Sequence, residues 1–90
     1  MIIMFHGAEC PHCHAMMPLV EKLEKEGIKI EKKEVWHDEK NADEMRNHTQ
    51  KIKEACQGEL GTPVFYSDKT DSAICGEQSY KGLKKWTEDN

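Results

Sequence analysis

The chain has 90 residues, 37% of them hydrophobic and 33% charged, with 13 Lys and Arg against 17 Asp and Glu for a formal net charge of −4. That length fits one small domain and leaves no room for a second, and the apolar fraction is too high for a disordered chain. The acidic balance argues against nucleic acid as the main partner, and no apolar run approaches the roughly 18 residues of a membrane span.

Taken in chain order, Ile2 to His6 is a short apolar run closed by Gly7, the pattern of a buried strand. Its N-terminal flank carries no basic residues and no signal-type cleavage site, so a soluble, cytoplasmic protein is expected. Pro11 offers the favoured first position of a helix. Met16, Leu19, Val20 and Leu23 then recur at helical spacing through Lys25, and Gly27 supplies the stop. Pro18 lies inside this helix and is expected to kink it. Ile28 to Val35, dense in Lys and Glu, reads as an exposed or edge strand, with Trp36 as a packing residue at its end.

From Asp38 to Cys56 the pattern predicts one helix with Ala42, Met45, Thr49, Ile52 and Cys56 along its stripe, ended by Gly58 and Gly61. His37 and His48 read as surface residues. Val64 to Tyr66 is a third strand, Ser67 to Ser72 a polar turn, and Ala73 to Cys75 a fourth strand. A last helix, Ser79 to Thr87, buries Leu83 and Trp86. The order is β-α-β-α-β-β-α. It implies a parallel crossover, then a hairpin, in a mixed four-stranded sheet with helices on both faces.

The chemistry concentrates in Cys10-Pro11-His12-Cys13, directly after the first strand and at the start of the first helix. A Cys there faces free backbone N–H groups and the positive end of the helix dipole, which favour thiolate over thiol. The three-residue step brings the second sulfur within bonding range. Cys10, the outer residue, is placed to attack a disulfide and Cys13 to resolve the mixed disulfide. A protonated His12 would favour the thiolate further, while Glu9 would oppose it weakly. Cys10, Cys13 and His14 also match the Cys-x-x-Cys-His spacing of c-type haem attachment, with Met16, Met17 or Met45 as axial ligands, but neither export nor a haem pocket is signalled. The alternative from another class is a binding module, in which Cys10 and Cys13, with His12 or His14, hold a metal or bridge an iron–sulfur cluster between two chains. No second pair at zinc-type spacing accompanies them, since Cys56 and Cys75 stand alone. Cys56 reads as an inert core thiol, and Cys75 as either core packing or a third thiol at the site.

These residues resemble the thioredoxin superfamily, and within it the small glutaredoxin-like proteins, over nearly the whole chain in element order. Cys10 and Cys13 match the active-site pair, and Pro18 matches a proline often found five residues after it. Thr62-Pro63 is similar to the family's cis-proline, which packs against the dithiol and meets the substrate backbone. Ile74-Cys75-Gly76 falls where glutaredoxins carry a Gly-Gly pair of the glutathione site. The Pro11-His12 dipeptide is similar to that of periplasmic disulfide oxidants. The resemblance implies a single thioredoxin-like domain acting as a thiol–disulfide oxidoreductase. Cys10, Cys13 and His12 would be catalytic, and Pro11, Thr62, Pro63, Cys75 and Gly76 would lie on the substrate side. It implies no metal or cofactor, a monomer, and as partners protein disulfides and a reductase or low-molecular-weight thiol. Cys75 replaces the first Gly, and Gln78 and Ser79 stand where acidic residues are expected, so glutathione recognition should be weak.

Overall fold

In a computed structural model describing all 90 residues, Met1–Asn90, four strands form one sheet between two pairs of helices. The elements are β1 (Ile2–His6), α1 (Pro11–Lys25), β2 (Ile30–Glu34), α2 (Glu39–Arg46), α3 (Thr49–Ala55), β3 (Val64–Ser67), β4 (Ser72–Cys75) and α4 (Tyr80–Asp89). The strand order is β2-β1-β3-β4. β1 pairs parallel with β2, Ile2 opposite Ile30, and antiparallel with β3, Ile2 opposite Ser67. β3 and β4 form the expected hairpin, Val64 opposite Cys75.

The period-two rule divides the core. Ile2 and Met4 of β1 and Phe65 of β3 join Met16, Val20, Leu23 and Leu83 under α1 and α4. Ile3 and Phe5, with Val64 and Tyr66, join Met45 and Ile52 under α2 and α3. The two central strands are therefore apolar on both faces, whereas edge strand β2 exposes Glu31 and Lys32. No helix is long and apolar enough to cross a membrane.

Four expectations change. The second strand begins at Ile30 because Ile28 is used to close α1. Gly27 takes φ +97°, its N–H reaches Glu24 O at 3.0 Å, and the Ile28 N–H reaches Leu23 O at 3.1 Å, which together make a Schellman motif. α1 itself runs unbroken through Pro18. The helix predicted over 38–56 is two helices. The Thr49 hydroxyl donates back to Arg46 O, a local bond that competes with the backbone ladder, and His48 stacks on the Tyr66 ring at 4.1 Å. Met45 and Ile52 remain buried on either side of the break. Cys56 and Cys75, read as isolated thiols, form a disulfide joining the end of α3 to the end of β4. Cys75 is therefore not a free thiol at the dithiol site.

Candidate active site

The site begins where β1 stops. Gly7 is buried beneath the Trp36 ring, and a Cβ there would lie 2.2 Å from Trp36 Cδ2. Trp36 therefore packs on one face, as expected, but it is half exposed on the other. The chain turns through Ala8 and Glu9, and the Cys10 N–H donates to Gly7 O at 3.1 Å. Cys10 is the N-cap of α1, with extended φ −78° and ψ 113°, and its Sγ accepts the Cys13 N–H at 3.2 Å. Pro11 follows at the first helical position, where its missing N–H removes one donor that would otherwise lack a partner.

A carboxylate that sequence reading passed over fixes this turn. Glu34, ending β2, accepts the N–H groups of Ala8 (2.9 Å), Trp36 (3.0 Å), His37 (2.8 Å) and Asp38 (3.2 Å). Desolvation pushes its carboxyl up, but these bonds outweigh that and hold it below the usual range. Nothing in the local pattern distinguished Glu34 from the other acids of β2, since its partners come from two loops.

Across the site, Thr62-Pro63 enters β3 through a cis peptide, as the resemblance implied. The Thr62 hydroxyl donates to Cys10 Sγ at 3.5 Å, and the Cys10 thiol donates to Thr62 O at 3.7 Å. Pro63 is buried, and its carbonyl accepts the Gly76 N–H at 2.8 Å. The structure thus brings Cys10, Cys13, Thr62 and Pro63 together, with Gly76 behind them.

The two thiols differ in acidity. Burial pushes Cys10 up, but hydrogen bonds from the Cys13 thiol, the Thr62 hydroxyl and the backbone N–H groups of Cys13 and His12 bring it below the ordinary thiol value. Cys13 is fully buried, and burial together with its hydrogen bond to Cys10 pushes it up to about 11. Cys10 is itself only 3% exposed, so its outward position is slight.

The His12 ring pairs with Glu77 Oε2 at 2.5 Å, which raises its pKa, and the Cys10 charge adds a smaller push in the same direction; its hydrogen bond to Cys10 comes from the backbone N–H. Glu9, expected to oppose the thiolate, is paired with His37 at 2.7 Å. The His14 ring contacts Ala8 O at 2.6 Å. Neither His12 nor His14 joins the two cysteines in a ligand set, and no three His, Cys, Asp or Glu side chains converge as metal ligands.

Beside Thr62 lies an open groove of about 400 Å³, walled by Trp36, Met45, Arg46 and Leu60. Trp36 and Leu60 are 50% and 42% exposed there. On the opposite side, Gln78 Nε2 donates to Cys75 O at 3.0 Å, and Ser79 caps α4 by accepting the Gly82 N–H at 3.0 Å.

No protein-family profile and no curated protein sequence matches this chain. Among solved structures, a buckwheat glutaredoxin in complex with glutathione is similar over 98% of this chain and 68% of its own length, with a TM-score of 0.57 and 15% identity. That likeness shows a glutaredoxin/thioredoxin-like fold.

Proposed function

We propose that this chain is a thiol–disulfide oxidoreductase working through the Cys10/Cys13 couple. The observation that carries the reading is the split in acidity: a helix-capping Cys10 held below the ordinary thiol value, directly above a buried Cys13 pushed up to about 11. The Cys10 thiolate attacks one sulfur of a substrate disulfide, forming a mixed disulfide, and the second substrate sulfur leaves and takes a proton. Cys13 then loses its proton and attacks Cys10 Sγ, expelling the first substrate sulfur as a thiol. Two electrons and two protons reach the substrate, and Cys10–Cys13 closes as a disulfide. A dithiol reductase, or two equivalents of a low-molecular-weight thiol, restores the pair.

Protein disulfides fit this site as substrates. The groove beside Thr62 offers Trp36 and Leu60 to an apolar side chain next to the reacting sulfur. Thr62, which lines that groove and bonds Cys10, would meet the substrate backbone, with Pro63 packed beneath it. Gln78 and Ser79 are engaged within the chain, leaving few groups for the charged ends of glutathione. The test is dithiol-driven reduction of insulin, compared with a glutathione-mixed disulfide. Wild type should turn over insulin, Cys10→Ser should not, and the glutathione substrate should be the poorer one. Equal activity of wild type and Cys10→Ser would overturn the assignment.

A further inference from the structure

The dithiol mechanism leaves the Cys56–Cys75 disulfide unused, yet it lies against the loop that serves Cys10. Cys56 ends α3 and Cys75 ends β4, so the bond closes a ring with a sequence separation of 19 that contains Thr62 and Pro63. After Cys56 the chain passes through two left-handed residues, Gln57 at φ 59° and Gly58 at φ 97°. From Glu59 to Thr62 no residue makes a backbone–backbone hydrogen bond. That segment is tied at its start by the disulfide and by the Gly58 N–H bond to Lys53 O at 2.6 Å, and at its end by β3 with the Gly76-to-Pro63 bond and the Thr62 bonds to Cys10. Between those ends, a Cβ built on Gly61 would lie 3.9 Å from Cys75 Sγ. Its neighbour Thr62 holds Cys10 Sγ from the other face. Gly61, beside Cys75 Sγ, and Thr62, on Cys10 Sγ, are consecutive residues. Cys56 and Cys75 are both half-buried, so a small thiol has only a thin layer to cross.

We propose that Cys56 and Cys75 form a second thiol–disulfide couple, reducible by a small dithiol, whose state sets how firmly Thr62 is held on the Cys10 sulfur. This rests on the reading of Cys10 as the nucleophile. In the reductive step, one thiolate of the dithiol attacks a sulfur of the Cys56–Cys75 bond. A mixed disulfide forms and the other cysteine leaves as a thiolate that takes up a proton. The second thiol of the dithiol loses its proton, closes on the first as a cyclic disulfide, and releases the remaining cysteine as a thiol. Two electrons and two protons pass to the protein. With the bond gone, the segment from Glu59 to Thr62 loses its covalent tie to β4 and keeps only the Gly58-to-Lys53 bond at its start. Thr62 then holds Cys10 less often, and the thiolate loses part of its support.

The experiment compares the iodoacetamide reaction of Cys10, mapped by mass spectrometry, in three folded forms with Cys10 and Cys13 reduced. These are wild type with Cys56–Cys75 intact, wild type titrated with dithiothreitol until all four thiols are free, and the double variant Cys56→Ser/Cys75→Ser. Opening the bond should slow Cys10 below its titration midpoint, by up to the roughly two- to threefold expected for complete loss of the Thr62 hydroxyl bond, and move the midpoint upward. In a Thr62→Val background the opening should add nothing. Identical Cys10 rates with the bond closed and open would overturn the proposal. So would release of Cys56 and Cys75 only on unfolding, followed by near-ultraviolet circular dichroism. Should the double variant not fold, the titrated wild type decides alone. Failure of the oxidoreductase reading would show separately, as absent insulin turnover with the Cys10 response intact.

Discussion

Replacing Thr62 with Val removes the hydroxyl that donates to Cys10 Sγ at 3.5 Å and keeps the branched shape of the side chain. A hydrogen bond to a charged partner contributes about 1.5–3 kcal/mol, but this one is long, so ~1 kcal/mol is the working value. Losing it should raise the Cys10 pKa by roughly 0.7. At pH below the midpoint, the thiolate fraction then falls about fivefold. The more basic thiolate is more nucleophilic and recovers about half of that loss on a logarithmic scale, leaving alkylation about two- to threefold slower. At pH above the midpoint, where the reduced form is the thiolate, the same loss should lower the Cys10/Cys13 potential by about 20 mV. The assay is the pH dependence of iodoacetamide reaction at Cys10, with Thr62→Ser as the conservative variant that keeps the hydroxyl. A Thr62→Val profile superimposable on wild type would refute the role of Thr62 and leave the Cys13 thiol and the backbone N–H groups as the source of the acidity.

The imidazole of His12 faces Glu77, so His12→Ala should leave the Cys10 midpoint within about 0.3 unit of wild type, on a scale where each unit is about 1.4 kcal/mol; a larger rise would restore the ring as a tuner. The same pair raises the His12 pKa, so its contribution is present below the unfolded His value near 6.5 and is lost as pH rises through the folded value. An NMR titration should accordingly show the His12 midpoint falling in Glu77→Gln. Gly7→Ala should destabilise by about 1–3 kcal/mol through overpacking on Trp36, and Trp36→Ala should recover most of that in a double-mutant cycle measured by denaturant unfolding. Glu34→Ala should lower the melting temperature at neutral pH. Because the Glu34 pKa is depressed, that difference from wild type should shrink as pH falls through its folded value, below the unfolded value of about 4.3.

The parts legible in sequence are those encoded by local pattern. The buried run Ile2–His6, the Cys-Pro start of α1 and the Gly27 stop each follow from residues within one or two turns of one another. Pairings made at a distance were hidden. Cys56 and Cys75 meet only because α3 packs beside β4, so nothing in their spacing marked them as partners. Glu34 looked like one more edge-strand acid until the Ala8 turn and the loop after Trp36 folded onto it. His12 has a partner that its sequence neighbours do not reveal. Its position beside Cys10 suggests a tuner, and at the exposed start of α1 its ring also pairs with Glu77, 65 residues away in sequence. The break at His48 arose in the same way, since the Tyr66 ring that His48 stacks on lies on another element.

The central claim is that Cys10 attacks and Cys13 resolves, and the Cys13→Ser variant tests it most directly. Incubated with a disulfide-bonded protein such as insulin, this variant should stall after the first step, because the thiol that would resolve the mixed disulfide is gone. Non-reducing mass spectrometry and peptide mapping should then find one substrate chain joined to Cys10, with Cys56–Cys75 intact. A stalled adduct on Cys56 or Cys75, or full turnover without any adduct, would contradict the account.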